Sequence, residues 1–332
     1  MSEGPKRALL TAPRRFEVAP GPESSLGPAD VRMDVLAVGI CGSDLATFRA
    51  GDAAPDQVLG HEIVARVSEA GERATLPVGA RVMVRPMRSC GRCWYCAQGS
   101  TQLCDRSREL TLSFQRPGGY AEELVLRDLE PGDVTPLAAD VPDLDAIWAE
   151  PLAVALHCVA ALGDTRPGDA VLVVGAGPLG LCVIAAAHAR HLKVTAVEPR
   201  PARHATALAA GAQAVHIPGH PIGAFPWTIV AAGTPAALRL AVDATAPHGH
   251  IAVAALGPVP LPPLPNPIEI HGSFGYRTDE FRQATALINT HAVRLGAAVT
   301  RTFPLTDINA AFAYALEDGD AVKVAVTPGA AG

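Results

Sequence analysis

The chain is poor in lysine, in aromatic residues and in runs of like charge. Only Lys6, Lys193 and Lys323 occur among 332 residues, aromatics make up 5%, and the formal net charge is -6. Without a Lys/Arg block, and with few rings on which bases stack, nothing here tracks a phosphate backbone; nucleic-acid binding is excluded. The first residues, Met1 to Pro13, carry basic side chains but no apolar core of roughly 7–15 residues behind them, so no secretory leader is read there. A cytoplasmic location with reduced thiols is expected. What the chain does contain is 49% hydrophobic residues, 31 glycines, 30 prolines and seven cysteines. That is material for about two domains of roughly 100–200 residues each.

One stretch imitates a membrane span. Residues 170–187 carry no strongly polar side chain, a run of the length that hydropathy reads as spanning. Its internal order says otherwise. Val171 to Val174 is a β-branched run of buried-strand type, Gly175-Ala-Gly-Pro-Leu-Gly180 is a turn, and a helical stretch follows to about His191. Buried parallel strands also read as continuous apolar runs, so no membrane partner is expected.

Four of the cysteines fall together. Cys90, Cys93, Cys96 and Cys104 form C-x2-C-x2-C-x7-C in a turn-rich stretch with Gly91, Gly99 and Ser100. Four thiolates at that spacing can close a tetrahedron around zinc, and in a reducing compartment they point to metal before disulfide. With every position filled by protein, such a zinc is structural and orders a lobe of about residues 88–106. Cys158 and Cys182 lie on apolar helical stretches and read as core.

Further ligand types are scattered. Cys41 follows the alternating strand Val31 to Val38, His61 and Glu62 open the strand that continues from Ile63 to Val67, and Glu150 precedes Pro151 at the mouth of an apolar helix. Singly, each has an ordinary explanation: a small buried hydrophobe, a core histidine, a first-turn acid favoured by the helix dipole. Spacing alone leaves a metal site and these explanations both open.

The glycine turn carries more. Gly175-x-Gly177-x-x-Gly180 follows a strand and opens a helix, the context a dinucleotide fingerprint requires. Its glycines serve a tight turn, close approach of a pyrophosphate and helix-on-strand packing. The next strand, Lys193 to Val197, ends in Glu198, an acid placed to accept ribose hydroxyls and so to favour NAD. Arg200 and Arg203 follow and leave NADP open. Downstream the chain alternates: a helix at 202–210, a strand at 228–232, a helix at 235–245 and a strand at 250–256, the pattern of a parallel α/β sheet. Proline-rich 256–267 reads as an extended connection. Helices at 279–291 and 307–317 and a strand at 321–327 complete the chain.

In this order the motifs Cys41-Gly-Ser-Asp44, Gly60-His61-Glu62, the four-cysteine lobe, Glu150-Pro-Leu-Ala-Val154, Gly175 to Gly180 and Gly272-Ser-Phe-Gly-Tyr276 resemble a zinc-dependent medium-chain dehydrogenase/reductase across nearly the whole chain. The resemblance implies an α/β protein. Its GroES-like, β-rich catalytic domain would comprise residues 1–150 and 271–332, with a doubly wound Rossmann domain inserted at 151–270. The Glu150 pattern is similar to the polyol branch, which includes sorbitol, threonine and sugar dehydrogenases, and the Cys41 motif also resembles aminocyclitol dehydrogenases.

That likeness implies two zinc ions per chain, one held by the four-cysteine lobe and one catalytic. The catalytic ion would be held by Cys41, His61 and Glu150, with Glu62 as a fourth or exchanging ligand. It also implies NAD contacts from Gly175, Gly177, Pro178, Leu179, Gly180, Glu198 and Arg203, and a nicotinamide near Thr234, Leu256 and Ser273. Ser43 would take the proton of an alcohol whose hydride passes to the cofactor, the metal lowering the hydroxyl pKa as a Lewis acid. The expected reaction interconverts a small secondary alcohol and its ketone, in a homodimer or homotetramer. A simple primary-alcohol dehydrogenase and a catalytically silent nucleotide sensor are the alternatives. Two departures stand out: Ala46 occupies the place where many relatives have a proton-carrying histidine, and 211–229 is short for a crossover with a full helix.

Overall fold

The protein is described by a computed structural model covering residues 4–329 apart from 23, 55 and 255–259. Among the described residues, β-rich segments from both ends of the sequence build one compact unit (residues 1–150 and 296–332), and residues 151–295 build a second.

In the first unit, β1 (Lys6–Ala12) and β2 (Arg15–Pro20) form a hairpin. The main sheet uses β3 (Val31–Gly39), β4 (Glu62–Ala70), β5 (Arg81–Val84), β6 (Glu123–Leu126) and β7 (Val134–Pro136). β3 buries Val31, Met33 and Val35 completely, the period-two pattern of a strand with one face on a core. That core closes on aromatic rings. Phe312 lies 4.8 Å from Phe16 and 4.8 Å from Phe48, ring centre to ring centre, so Phe48 is a packing residue. The sheet is finished by the end of the chain, as described below.

The second unit carries β8 (Ala170–Val174), β9 (Lys193–Val197), β10 (Ala214–His216), β11 (Phe225–Val230), β12 (Thr245–Val253) and β13 (Glu269–Gly272). All pairings are parallel, in the order β10-β9-β8-β11-β12-β13. This is the doubly wound order in which the chain starts at the centre, builds outward to one side and then to the other. Ligands bind at the switch point, between β8 and β11 here. The apolar run 170–187 resolves into β8, the glycine turn and the helix Pro178–Ala189, and no described helix is long and apolar enough to cross a membrane. Between β10 and β11 no helix forms among residues 217–224, as the short crossover implied.

β14 (Val299–Pro304) and β15 (Lys323–Thr327) return to the first unit, β15 pairing antiparallel with β3. The second unit reaches to Leu295, beyond the boundary at 270 that the resemblance suggested. The physical reason is local: the helix Thr278–Asn289 is tied back by Tyr276 stacking on Phe281 at 5.9 Å and by Glu280 against His157 Nδ1 at 3.0 Å.

Candidate active site

Cys41 stands at the N-terminus of the helix Gly42–Ala50, immediately after β3. Its own N–H donates to Asp44 Oδ2 at 3.2 Å, one turn on. Asp44 is buried and also accepts the Tyr120 hydroxyl at 2.8 Å, while its other oxygen lies 3.4 Å from His61 Nδ1. A single carboxylate therefore fixes the backbone of one candidate ligand and the ring of another. A carboxylate behind an imidazole is the usual means of aiming a metal-binding histidine. Burial alone would lower the His61 pKa, yet the Asp44 and Cys41 charges beside it hold it well above its ordinary value. Burial likewise opposes ionisation of Asp44, but His61, Tyr120 and the Cys41 N–H keep its pKa low.

Glu62 begins β4 directly opposite Gly39 of β3, and Ala325 of β15 flanks Gly39 on its other side. The missing side chain matters: a Cβ at Gly39 would overlap the Glu62 carboxylate and press on Lys323 Cε at 2.8 Å. In the space it leaves, Lys323 Nζ pairs with Glu62 Oε2, donates to the Ile40 carbonyl at 3.2 Å and sits 5.2 Å over the Trp148 ring. Both partners of that ion pair are only 1% exposed. Trp148 is thus a buried platform for a cation.

Cys41, His61 and Glu62 bring their ligand atoms within 4.8 Å of one another. Glu150, in the first turn of the helix Ala149–Ala160, lies outside that cluster but close enough to share its field. Burial lifts its pKa to about 7, the His61 and Lys323 charges opposing this and those of Glu62 and Asp44 adding to it. A thiolate, an imidazole and carboxylates on a buried floor are a donor set suited to zinc. Ser43 is half-buried in the first turn of the Gly42–Ala50 helix, and Ala46 on the same helix is exposed.

The second sulfur set is tighter. The Sγ atoms of Cys90, Cys93, Cys96 and Cys104 lie within 4.8 Å of one another, Cys93 and Cys96 at 3.4 Å. Zinc–sulfur bonds of ~2.3 Å place tetrahedral sulfurs ~3.8 Å apart, so the residues fit the ion. Backbone N–H groups stabilise the thiolates: Cys90 donates to Cys104 Sγ at 3.2 Å, and Cys93 to Cys90 Sγ at 3.4 Å. Donors from Arg92 and Cys93 pull the Cys90 pKa down to about 6, while burial and neighbouring sulfurs push Cys96 up to about 12.

In the parallel sheet, Gly175 has φ +99 and ends β8. Gly177 then caps the helix Pro178–Ala189, whose first position is Pro178. Leu179 and Gly180 follow in its first turn, a helix end whose free N–H groups favour an anion. Arg203 Nη1 comes within 3.5 Å of where a Gly177 Cβ would be, so a guanidinium stands beside the turn. Glu198 is buried, and its carboxylate accepts the Ala176 N–H at 2.8 Å and the Arg200 N–H at 3.0 Å. Thr234 caps the helix Pro235–Ala244 through its hydroxyl, which accepts the Ala237 N–H at 3.2 Å. Ser273 lies against the Cys158 thiol, whose pKa burial pushes up to about 12 while the serine opposes the shift. Leu256 lies outside the described residues.

Residues 27–134 match the Alcohol dehydrogenase GroES-like domain. A sorbitol dehydrogenase of Halalkalibacterium halodurans is 28% identical over 335 residues, covering 94% of this chain and 96% of that protein. An L-idonate 5-dehydrogenase of Vitis vinifera is 28% identical, with 96% and 93% covered. Among solved structures, 2R,3R-butanediol dehydrogenase from Bacillus subtilis superposes with a TM-score of 0.84 at 25% identity, over 98% of this chain and 100% of that one. The chain is thus similar over nearly its whole length to dehydrogenases named for polyols and related alcohols, and carries an alcohol dehydrogenase GroES-like domain at 27–134.

The dehydrogenase also contains site residues that sequence reasoning missed. Asp44, visible in the sequence only as the end of the Cys41 motif, serves Tyr120, Cys41 and His61. Lys323 drew no attention as a site residue, because nothing local marks a lysine whose carboxylate partner lies at position 62. His204, which no motif marks, has its Nε2 2.8 Å from the Glu198 carbonyl.

Proposed function

We propose that this dehydrogenase interconverts a secondary alcohol of polyol, sugar, cyclitol or amino-alcohol type and its ketone, by hydride exchange with NAD or NADP. The observation that carries the reading is the convergence of Cys41, His61 and Glu62 on a buried floor braced by Asp44 and Lys323. Cys41, His61 and Glu150 would hold a catalytic zinc, with Glu62 as a further or exchanging ligand; the four-cysteine lobe would hold a second ion. When bound, the catalytic metal supplies Lewis acidity that lowers the pKa of a substrate hydroxyl.

The chain's own residues divide the remaining work. Asp44 keeps His61 aimed, and Lys323 balances the Glu62 charge. Ser43, two residues past Cys41, accepts the hydroxyl proton and passes it towards the nicotinamide ribose. Ala46 stands where a histidine would relay it onward, so either the ribose of a bound cofactor or another group would carry the proton to water. The glycine turn and the helix beginning at Pro178 would receive the pyrophosphate of a bound cofactor, Glu198 would serve its adenosine ribose, and Arg203 could meet a phosphate. Thr234, Leu256 and Ser273 are assigned to the nicotinamide end. Support for the polyol branch comes from the Glu150 motif and from relatives named for sorbitol and idonate. A silent sensor would have no use for a braced, exchangeable ligand set.

Metal analysis together with a screen of NAD and NADP against polyols, sugars, cyclitols and primary alcohols tests this. Two zinc ions per chain and NADH formation from secondary alcohols are expected. One ion, or no alcohol-dependent turnover, favours the sensor, and preference for primary aliphatic alcohols overturns the branch. Ser43→Ala should cut turnover by about 10²-fold or more, the range of general acid–base catalysis, with little change in NADH affinity measured by fluorescence. Unchanged turnover at neutral pH removes Ser43 from the relay.

A further inference from the structure

A third group of side chains of metal-ligating type stands on the parallel sheet, on β12 and β13. β12 and β13 pair with His250 opposite Glu269 and Ala252 opposite His271. Because side chains alternate along strands, this register puts His250, Glu269 and His271 on one face. Ile251 and Ile270 point to the other, joining the core under the helix Pro235–Ala244. Trp227 of β11 pairs with His250 and stacks on its ring at 4.8 Å with 24° between planes, which restrains the imidazole. Both imidazoles converge on a single oxygen: His250 Nδ1 lies 3.4 Å from Glu269 Oε2, and His271 Nε2 3.3 Å from it. The three ligand atoms all lie within 4.8 Å of one another.

We propose that His250, Glu269 and His271 form a binding site for a divalent transition-metal ion. Bonds of ~2.1 Å to nitrogen and oxygen at tetrahedral angles separate ligand atoms by ~3.4 Å, the spacing found on both nitrogen–oxygen edges here. Two imidazoles and one carboxylate suit zinc, nickel or copper, whereas calcium and magnesium require oxygen ligands. Three protein ligands leave a coordination position to water, on a surface where Glu269 is 64% exposed and His271 45%. An ion there cross-links the edge strand β13 to β12. Since β13 continues directly into Ser273, whose N–H donates to the Val253 carbonyl at 2.8 Å, occupancy would stiffen the strand end leading to that residue.

The test uses the dehydrogenase as purified, with its resident metal, titrated with NiCl2 in a non-coordinating buffer by calorimetry, alongside thermal melts. One added equivalent of Ni2+ per chain and a nickel-dependent rise in Tm are expected. His250→Ala and His271→Ala should each weaken that binding by more than about tenfold. His220→Ala should leave it unchanged, although it breaks the stacked His216–His220 pair. Melts without nickel establish that the variants are folded, which their exposed positions favour. Absence of the added equivalent in the wild-type protein, or equal binding by the His250 and His271 variants, means the group is an ion pair only and overturns the proposal. Loss of binding in His220→Ala moves the ion elsewhere and overturns it equally.

Discussion

Lys323 shows how much a single residue carries. Its ammonium is taken from water into a space that exists because position 39 lacks a side chain, and it is shared among a carboxylate, a carbonyl and an indole face. Removing one partner of such a pair leaves the other charge buried, at a cost of about 3–5 kcal/mol, whereas removing both with similar volume is often close to neutral. Lys323→Met should therefore lower unfolding free energy by that order, and adding Glu62→Gln should restore most of it. Denaturant titration of the single and double variants checks this, and a Lys323→Met protein as stable as the wild type would contradict it. The site was legible in part only. Cys41, His61, Glu62 and Glu150 were readable because each sits in a short motif, but Lys323 and Tyr120 act across 261 and 76 positions from Glu62 and Asp44, and no local pattern encodes that.

At the scale of elements, local chemistry was read well wherever it closes within a few residues. The run β8, glycine turn and helix Pro178–Ala189 is one such case, and the four cysteines are another. Thr234 was read for the cofactor, yet Thr-Pro at the start of a helix is also an N-cap followed by proline at the first position, and its hydroxyl is used that way here. The turn before β3 offers an element-scale prediction. The Asp30 carboxylate accepts N–H groups from Asp128 at 3.0 Å and Gly27 at 2.8 Å, and pairs with Arg127. These, the backbone donors first, lower its pKa from 3.8 to about 2. A depressed acid contributes stability that is complete above its unfolded pKa and is lost as pH falls through the folded one. Asp30→Asn should thus cost on the order of 1–2 kcal/mol at neutral pH, the difference from wild type shrinking between about pH 4 and pH 2. Parallel pH-dependent unfolding curves would refute this.

For the molecule as a whole, the discontinuity was implied by the family resemblance, whereas the boundary at Leu295 depended on tertiary ties such as His157 to Glu280 that sequence spacing does not display. The second unit is one continuous segment with sequential βα connections, while the first must join strands from opposite ends of the chain. Closing such separations costs entropy before any contact repays it. Pulse-labelled hydrogen exchange during refolding should show protection in β8, β9 and β11 before β3 and β15. Simultaneous protection in both units would disprove the order.

The bond from Lys323 to the Ile40 carbonyl spans 283 residues. On a ribosome, Glu62 must wait for its counter-charge until position 323 has been made. The strand that begins at Lys323, made long after Cys41, His61 and Glu62, is the one that completes the floor of the active site. A message cut anywhere between codons 62 and 323 would yield a polypeptide that still lacks the lysine its buried glutamate depends on.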